Sequence, residues 1–81
     1  MTQISQEIRI PLTSAQPGRA CRLCRIEGGR GLKSRLCAMG LTPGVPVERV
    51  GDSSGPVVLR ILGSRVMIGR NIARRILVTQ R

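Results

Sequence analysis

The chain has 81 residues, with 14 lysine and arginine residues against four acidic ones, and its formal net charge is +10. Histidine is absent and the aromatic content is 0%. A chain of this length forms one domain with a modest core and no deep cleft, and without an imidazole base the composition argues against an enzyme. The charge favours an anionic partner: nucleic acid, an acidic protein surface or the phosphate face of a membrane. The alternative that these charges only solvate the surface stays open, because basic residues occupy surfaces by default.

The first predicted element is a strand over residues 19–27, which follows a Pro-Gly turn and ends at paired glycines. An amphipathic helix over residues 31–39 is predicted next. Leu32, Leu36 and Met39 recur at i, i+4 and i+7, which is one face of a 3.6-residue period. This face is expected to pack on the core.

The helix is predicted to end at a glycine stop. Gly40 lies where a left-handed residue closes a helix, and Leu41 is placed to pack back on the last turn. Thr42, Pro43 and Gly44 then form a tight turn, since proline presets φ and glycine supplies a permissive position.

Four further segments are typical of strands, because they alternate or cluster β-branched residues between turn residues. They are residues 45–50, 57–62, 65–68 and 74–79. Gly63 and Ser64 indicate a two-residue hairpin, and Asn71 is predicted to cap a short helical turn before the last strand. Five strands with one helix inserted after the first predict a mainly β fold, a small closed or nearly closed barrel, because closure removes exposed edges.

The sequence gives no sign of a membrane or secretory segment. Residues 1–12 lack a continuous apolar run, and no stretch approaches the ~18 apolar residues of a membrane span. Three cysteines, an odd number, favour a reducing compartment over a disulfide framework. We therefore expect a cytoplasmic protein that forms one domain over residues 1–81, with its core at about residues 8–79.

Two ordered patterns point to a family. Arg-Leu-x-x-Met-Gly-Leu-x-Pro-Gly occupies residues 35–44, and Gly-Arg-x-x-Ala-x-x-Ile-x-Val occupies residues 69–78. With the turns between them, they make the chain resemble the FeoA family, the small cytosolic component of bacterial ferrous iron uptake, and the similar domain appended to DtxR-type metalloregulators. The resemblance implies an SH3-like barrel, no catalytic activity, and action on FeoB, an inner-membrane ferrous iron transporter with a cytoplasmic GTPase domain.

The cysteines raise the question of a metal site. Cys21 and Cys24 have the spacing of half a thiolate site, with Cys37 as a third candidate ligand. A structural zinc site needs four ligands, however, and residues three apart on a strand face opposite sides unless a bulge intervenes. We therefore predict that Cys24 and Cys37 are small buried apolar residues and that no cofactor is required. Cys21 with a neighbouring carboxylate is kept as a candidate for weak transition-metal binding, which the resemblance to metalloregulators and iron transport supports.

The helix and the turn after it hold the candidate partner-binding residues. These are Arg30, Lys33, Arg35, Met39, Leu41, Thr42 and Pro43. The three cations would steer an acidic partner, and the other four could form an exposed apolar knob. The competing interpretation is that the cations are merely solvated. We expect Met39 and Leu41 to pack in the core, since a small domain can spare little apolar surface.

We therefore predict a non-enzymatic accessory protein of ferrous iron uptake that docks on FeoB and modulates its nucleotide cycle or gating. The alternative is a basic SH3-like accessory domain of a metal-responsive regulator that binds nucleic acid phosphates. The absence of aromatic residues argues against single-stranded nucleic acid and proline-rich ligands. No helix precedes residues 31–39 as the first of a helix-turn-helix, so nucleic acid is not the expected partner.

Overall fold

The computed structural model describes residues 8–51 and 54–80, and most of the elements in them are strands. In chain order the elements are β1 (Arg9–Pro11), a 3-10 turn (Leu12–Ser14), β2 (Ala20–Ile26), α1 (Arg30–Ala38), β3 (Pro46–Val50), β4 (Val57–Ile61), β5 (Ser64–Ile68), α2 (Arg70–Ala73) and β6 (Ile76–Gln80). The prediction of a mainly β fold with one inserted helix is confirmed. The single-domain prediction also covers residues 1–7, 52, 53 and 81, which lie outside the described part.

The strands form one antiparallel sheet in the order β1-β6-β2-β3-β4-β5. Within the described residues the edge strands β1 and β5 do not pair, so hydrogen bonds do not close the sheet into a barrel. Among the described residues the sheet has six strands, where five were predicted. The additional one, β1, is three residues long and ends in Pro11, so it carries too little pattern to be read from the sequence.

The core lies on one face of this sheet, beneath α1 and the 3-10 turn. Leu59, Ile76 and Val78 are fully buried there, and α1 contributes Leu36. Arg49 is also buried. Its guanidinium donates hydrogen bonds to two backbone carbonyls of the segment after β1, those of Thr13 at 2.9 Å and Ala15 at 3.1 Å. A buried cation is tolerated here because carbonyl oxygens satisfy its donors.

Strand β2 contains a bulge. Leu23 lies opposite Val78 and Arg25 lies opposite Leu77, so Cys24 is the extra residue between them. The bulge shifts the alternation by one position and returns Ile26 to the core side.

Helix α1 ends as predicted. Gly40 has φ +93°, and its N–H donates to the Cys37 carbonyl at 2.9 Å. The Leu41 N–H donates to the Leu36 carbonyl at 2.9 Å, and the Leu41 side chain is buried. These paired bonds are those of a Schellman motif, in which a left-handed glycine lets the chain turn back on the last helical turn.

Two turn assignments were wrong. The β4–β5 hairpin turns at Leu62 and Gly63, with φ +50° and +85°, and Ser64 already belongs to β5. Because leucine seldom adopts positive φ, the turn predicted from the sequence lies one residue too late. Asn71 does not cap the short helix: Gly69 is its N-cap residue and Asn71 lies inside it.

Candidate partner-binding surface on helix α1

Helix α1 packs against the core with one face, and the two flanks beside that face are exposed. Leu36 is buried and Leu32 is partly buried. Residues four apart share a flank of a helix. Lys33 and Cys37 therefore lie together on one flank, and Arg35 and Met39 lie together on the other.

Each flank borders a surface groove. The first, which we call the Lys33 groove, has a volume of about 350 Å³ and lies between α1, the end of β2 and the turn after the helix. It is lined by Arg25, Ile26, Lys33, Cys37, Leu41, Thr42 and Pro43. Four of the seven candidate partner-binding residues therefore meet at one groove.

The second, which we call the Met39 groove, has a volume of about 240 Å³ and lies between α1, β5 and α2. It is lined by Leu32, Arg35, Leu36, Met39, Met67, Ile68, Gly69 and Ile72. Met39 is 41% exposed and Met67 is 66% exposed. The predicted burial of Met39 is wrong, because the Schellman turn buries Leu41 and leaves Met39, the C-cap residue of α1, at the rim.

The structure thus divides the predicted surface. Lys33, Thr42 and Pro43 border one groove, Arg35 and Met39 border the other, and Arg30 lines neither. Leu41 is 1% exposed, as predicted for a core residue, so it can offer a partner only the floor of the Lys33 groove.

Arg25, Ile26 and Met67 are among the lining residues that were not predicted as partner-binding residues from the sequence. Arg25 and Ile26 reach the Lys33 groove because the bulge in β2 turns the end of that strand, and the bulge itself has no clear sequence signal. Met67 was missed although its place in β5, next to the buried Ile68, gives it outward parity.

The charges around these grooves are largely uncompensated. Among the described residues the ion pairs are Arg25–Glu27 and Arg60–Glu48, each at 3.5 Å and each exposed. Exposed pairs of this kind contribute little to stability. Lys33 and Arg35 have no ion-pair partner among residues 8–51 and 54–80. The surface around α1 is therefore positively charged and suited to an anionic partner.

The cysteines do not follow the predicted distribution. Cys37 is exposed and Cys24 is half-buried at the bulge, so the prediction that both are buried is wrong for Cys37. Cys21 is buried instead, and its thiol donates a hydrogen bond to the Arg19 carbonyl, with a sulfur–oxygen distance of 3.4 Å.

Cys21 is the residue that was predicted from the sequence as a candidate metal ligand. Burial raises the pKa of its thiol, and the Arg19 charge lowers that pKa less strongly. Metal binding needs the thiolate, so this environment disfavours it. The residues that line the small cavity at Cys21 include no carboxylate, and the described residues contain no cluster of three metal-binding side chains.

The fold and this surface define a small basic β domain with grooves on both sides of one helix. Its sequence matches the model of the FeoA domain over residues 10–80, and the chain therefore belongs to the FeoA family. It is 34% identical over 68 residues to a Methanocaldococcus jannaschii protein named "Putative Fe(2+) transport protein A", a match that covers 84% of this chain and 83% of the relative.

Solved structures agree with this assignment. The crystal structure of an iron uptake regulatory protein, FeoA, superposes with a TM-score of 0.84 at 31% identity, covering 91% of this chain and all of that one. The SH3-like fold predicted from the resemblance is confirmed, with the sheet left open. A manganese-dependent transcriptional repressor also matches, with a TM-score of 0.83 at 16% identity over 98% of this chain and 45% of the repressor, which shows the fold alone. Within the described residues, no helix combines the length and apolar character needed to cross a bilayer.

Proposed function

We propose that this chain is a cytoplasmic accessory protein of ferrous iron uptake that docks on a FeoB-type transporter and modulates its activity. The observation that carries the proposal is the FeoA family match over residues 10–80. The related protein of Methanocaldococcus jannaschii is named for ferrous iron transport, which supports the same process for this chain.

The surface around α1 supports docking as the mode of action. Both grooves combine apolar lining with a cation that has no ion-pair partner among residues 8–51 and 54–80. Protein interfaces have this composition, with apolar contacts at the centre and charges that steer the encounter. Nucleic acid binding has only the fold similarity to the repressor and the overall charge in its favour.

The test is ferrous uptake by cells under anaerobic iron limitation. Deletion of the gene, in a strain with no second copy, should lower the initial rate of radiolabelled ferrous uptake, and a plasmid copy should restore it. The wild-type plasmid is compared with a plasmid that carries the Gly40→Val variant, which is expected to be unstable and to complement poorly. Unchanged uptake in the deletion strain would refute the proposed function.

A further inference from the structure

We propose that the Lys33 groove binds an acidic peptide segment with a single apolar anchor side chain, and that the transporter supplies it; the second half of this inference rests on the proposed function. The Lys33 groove joins three properties that such a segment needs. It has an apolar floor, a cationic rim and a rigid wall.

The floor is apolar and belongs to the core. Ile26 and Leu41 are 7% and 1% exposed, and Pro43 forms the exposed side above them. A volume of about 350 Å³ is at the lower end of ligand pockets, so it suits one side chain with its flanking backbone and not a large ligand. Since Ile26 and Leu41 are already buried, the apolar surface that an occupant can cover belongs mainly to the exposed Pro43 and Cys37.

The rim is cationic. Lys33 projects from α1 and Arg25 from β2, so an extended segment can place a carboxylate on each side of its anchor. Arg25 pairs with Glu27 at 3.5 Å, but both side chains are more than half exposed. An exposed pair is weak, so an incoming carboxylate can replace Glu27 at little cost.

The wall is held by backbone hydrogen bonds. The turn after α1 is fixed by the Gly44 N–H, which donates to the Leu23 carbonyl at 2.7 Å, and by the Val45 N–H, which donates to the Thr42 carbonyl at 3.1 Å. The Schellman bonds of Gly40 and Leu41 fix the other side. A preformed groove binds more tightly because less conformational freedom is lost on binding.

These features favour a peptide over a nucleic acid phosphate. A phosphate backbone would satisfy Lys33 and Arg25 but would leave the exposed apolar surface of the groove, at Pro43 and Cys37, uncovered. The Met39 groove is a weaker candidate for an acidic segment, because Arg35 is the one cation among its lining residues.

A peptide titration tests the assignment. The probe is a fluorescein-labelled acidic peptide, Glu-Glu-Leu-Glu-Glu, and binding is followed by anisotropy at low and physiological salt. Lys33→Glu should weaken binding about tenfold or more, and Lys33→Arg should retain it. Arg65→Glu is the matched control, because it changes the net charge equally at an exposed arginine of β5 that lines neither groove. Replacing the leucine of the probe by alanine should weaken binding about tenfold, equivalent to about 1.4 kcal/mol.

Cys37 supplies a second readout, because its thiol lines the Lys33 groove and is exposed. Its alkylation by iodoacetamide should slow when the peptide is present. Equal weakening by Lys33→Glu and Arg65→Glu, or an alanine probe that binds as well as the leucine probe, would overturn the proposal. Displacement of the probe by duplex DNA at physiological salt, with no effect of the leucine, would assign the groove to phosphates instead.

A capture experiment with the cytoplasmic region of the transporter separates this proposal from the proposed function. Capture by the wild type and by Arg65→Glu, but not by Lys33→Glu, supports both. Capture by all three proteins would overturn the assignment of the transporter to the Lys33 groove while docking itself stands. If the wild type captures nothing while the peptide still binds, the groove chemistry stands and the transporter is not its source.

Discussion

Replacing Gly40 by alanine should destabilise the domain even though the added methyl group has room. A Cβ at Gly40 would meet Ile61 Cγ2 at 3.9 Å, which is an ordinary van der Waals contact. The cost comes from the backbone, because φ is +93° and an L-residue in the left-handed region is disfavoured by about 1–2 kcal/mol. Gly40→Val should cost somewhat more, roughly 1–3 kcal/mol, because a β-branched side chain restricts this conformation further.

Gly31 provides the matched control in the same helix. It lies in the first turn of α1, and a Cβ there would meet no heavy atom within 4 Å. Gly31→Ala should therefore stabilise the domain by about 0.5–1 kcal/mol, because alanine loses less backbone entropy in a helix than glycine does. The two Gly→Ala variants should differ by roughly 1.5–3 kcal/mol in the free energy of unfolding, with opposite signs relative to wild type.

The assay is urea and thermal unfolding followed by far-ultraviolet circular dichroism, since the chain has no aromatic residue to report by fluorescence. One kcal/mol shifts Tm by about 4–8 °C in a domain of this size, so the two variants should melt at least about 6 °C apart. If Gly40→Ala is as stable as wild type, the left-handed stop does not hold the end of α1 and the wall of the Lys33 groove.

Two further predictions concern buried polar groups. Arg49→Lys should lower the free energy of unfolding by about 1–3 kcal/mol in the same assay, because both bonds to the Thr13 and Ala15 carbonyls come from Nη1 and the shorter lysine side chain does not bring its nitrogen to that position; an unchanged value would show that these bonds are not needed. Burial raises the pKa of Cys21, so as the pH rises above the ordinary value of 9.0 the unfolded chain loses this proton first and the folded state is destabilised. The stability advantage of wild type over Cys21→Ala should therefore be constant below that pH and shrink above it, and a difference that is independent of pH would contradict this.

The end of α1 could be predicted because its chemistry is local. A glycine after the last apolar helical residue, followed by leucine, specifies a left-handed stop and a buried leucine from a few neighbouring residues. Gly40 and Leu41 behave in this way. The family patterns at residues 35–44 and 69–78 were equally local, and the family match over residues 10–80 confirms what they indicated.

The distribution of burial could not be predicted because it depends on how distant segments pack. Periodicity placed Met39 on the core face, but the chain reverses directly after it and leaves it at the rim. Cys37 was expected to be buried as a small apolar residue, yet it lies on the flank of α1 that borders the Lys33 groove. The bulge at Cys24 follows from pairing with β6, which is some fifty residues away in sequence. The positive φ of Leu62 could not be predicted either, because the hairpin imposes it and leucine itself does not favour it.

The position of β6 in the sheet has a consequence for folding during synthesis. Ile76–Gln80 lies between β1 and β2, although those two strands are made first. While β6 is still inside the ribosome, β1 lacks β6, its neighbour among the described strands. Strand β2 then has β3 but lacks β6, the other of its two neighbours. The buried side chains of Ile76 and Val78 are also missing from the core at this stage. We expect the nascent chain to stay without a stable core until β6 has emerged, and then to fold cooperatively, since pairing between distant segments must wait for both.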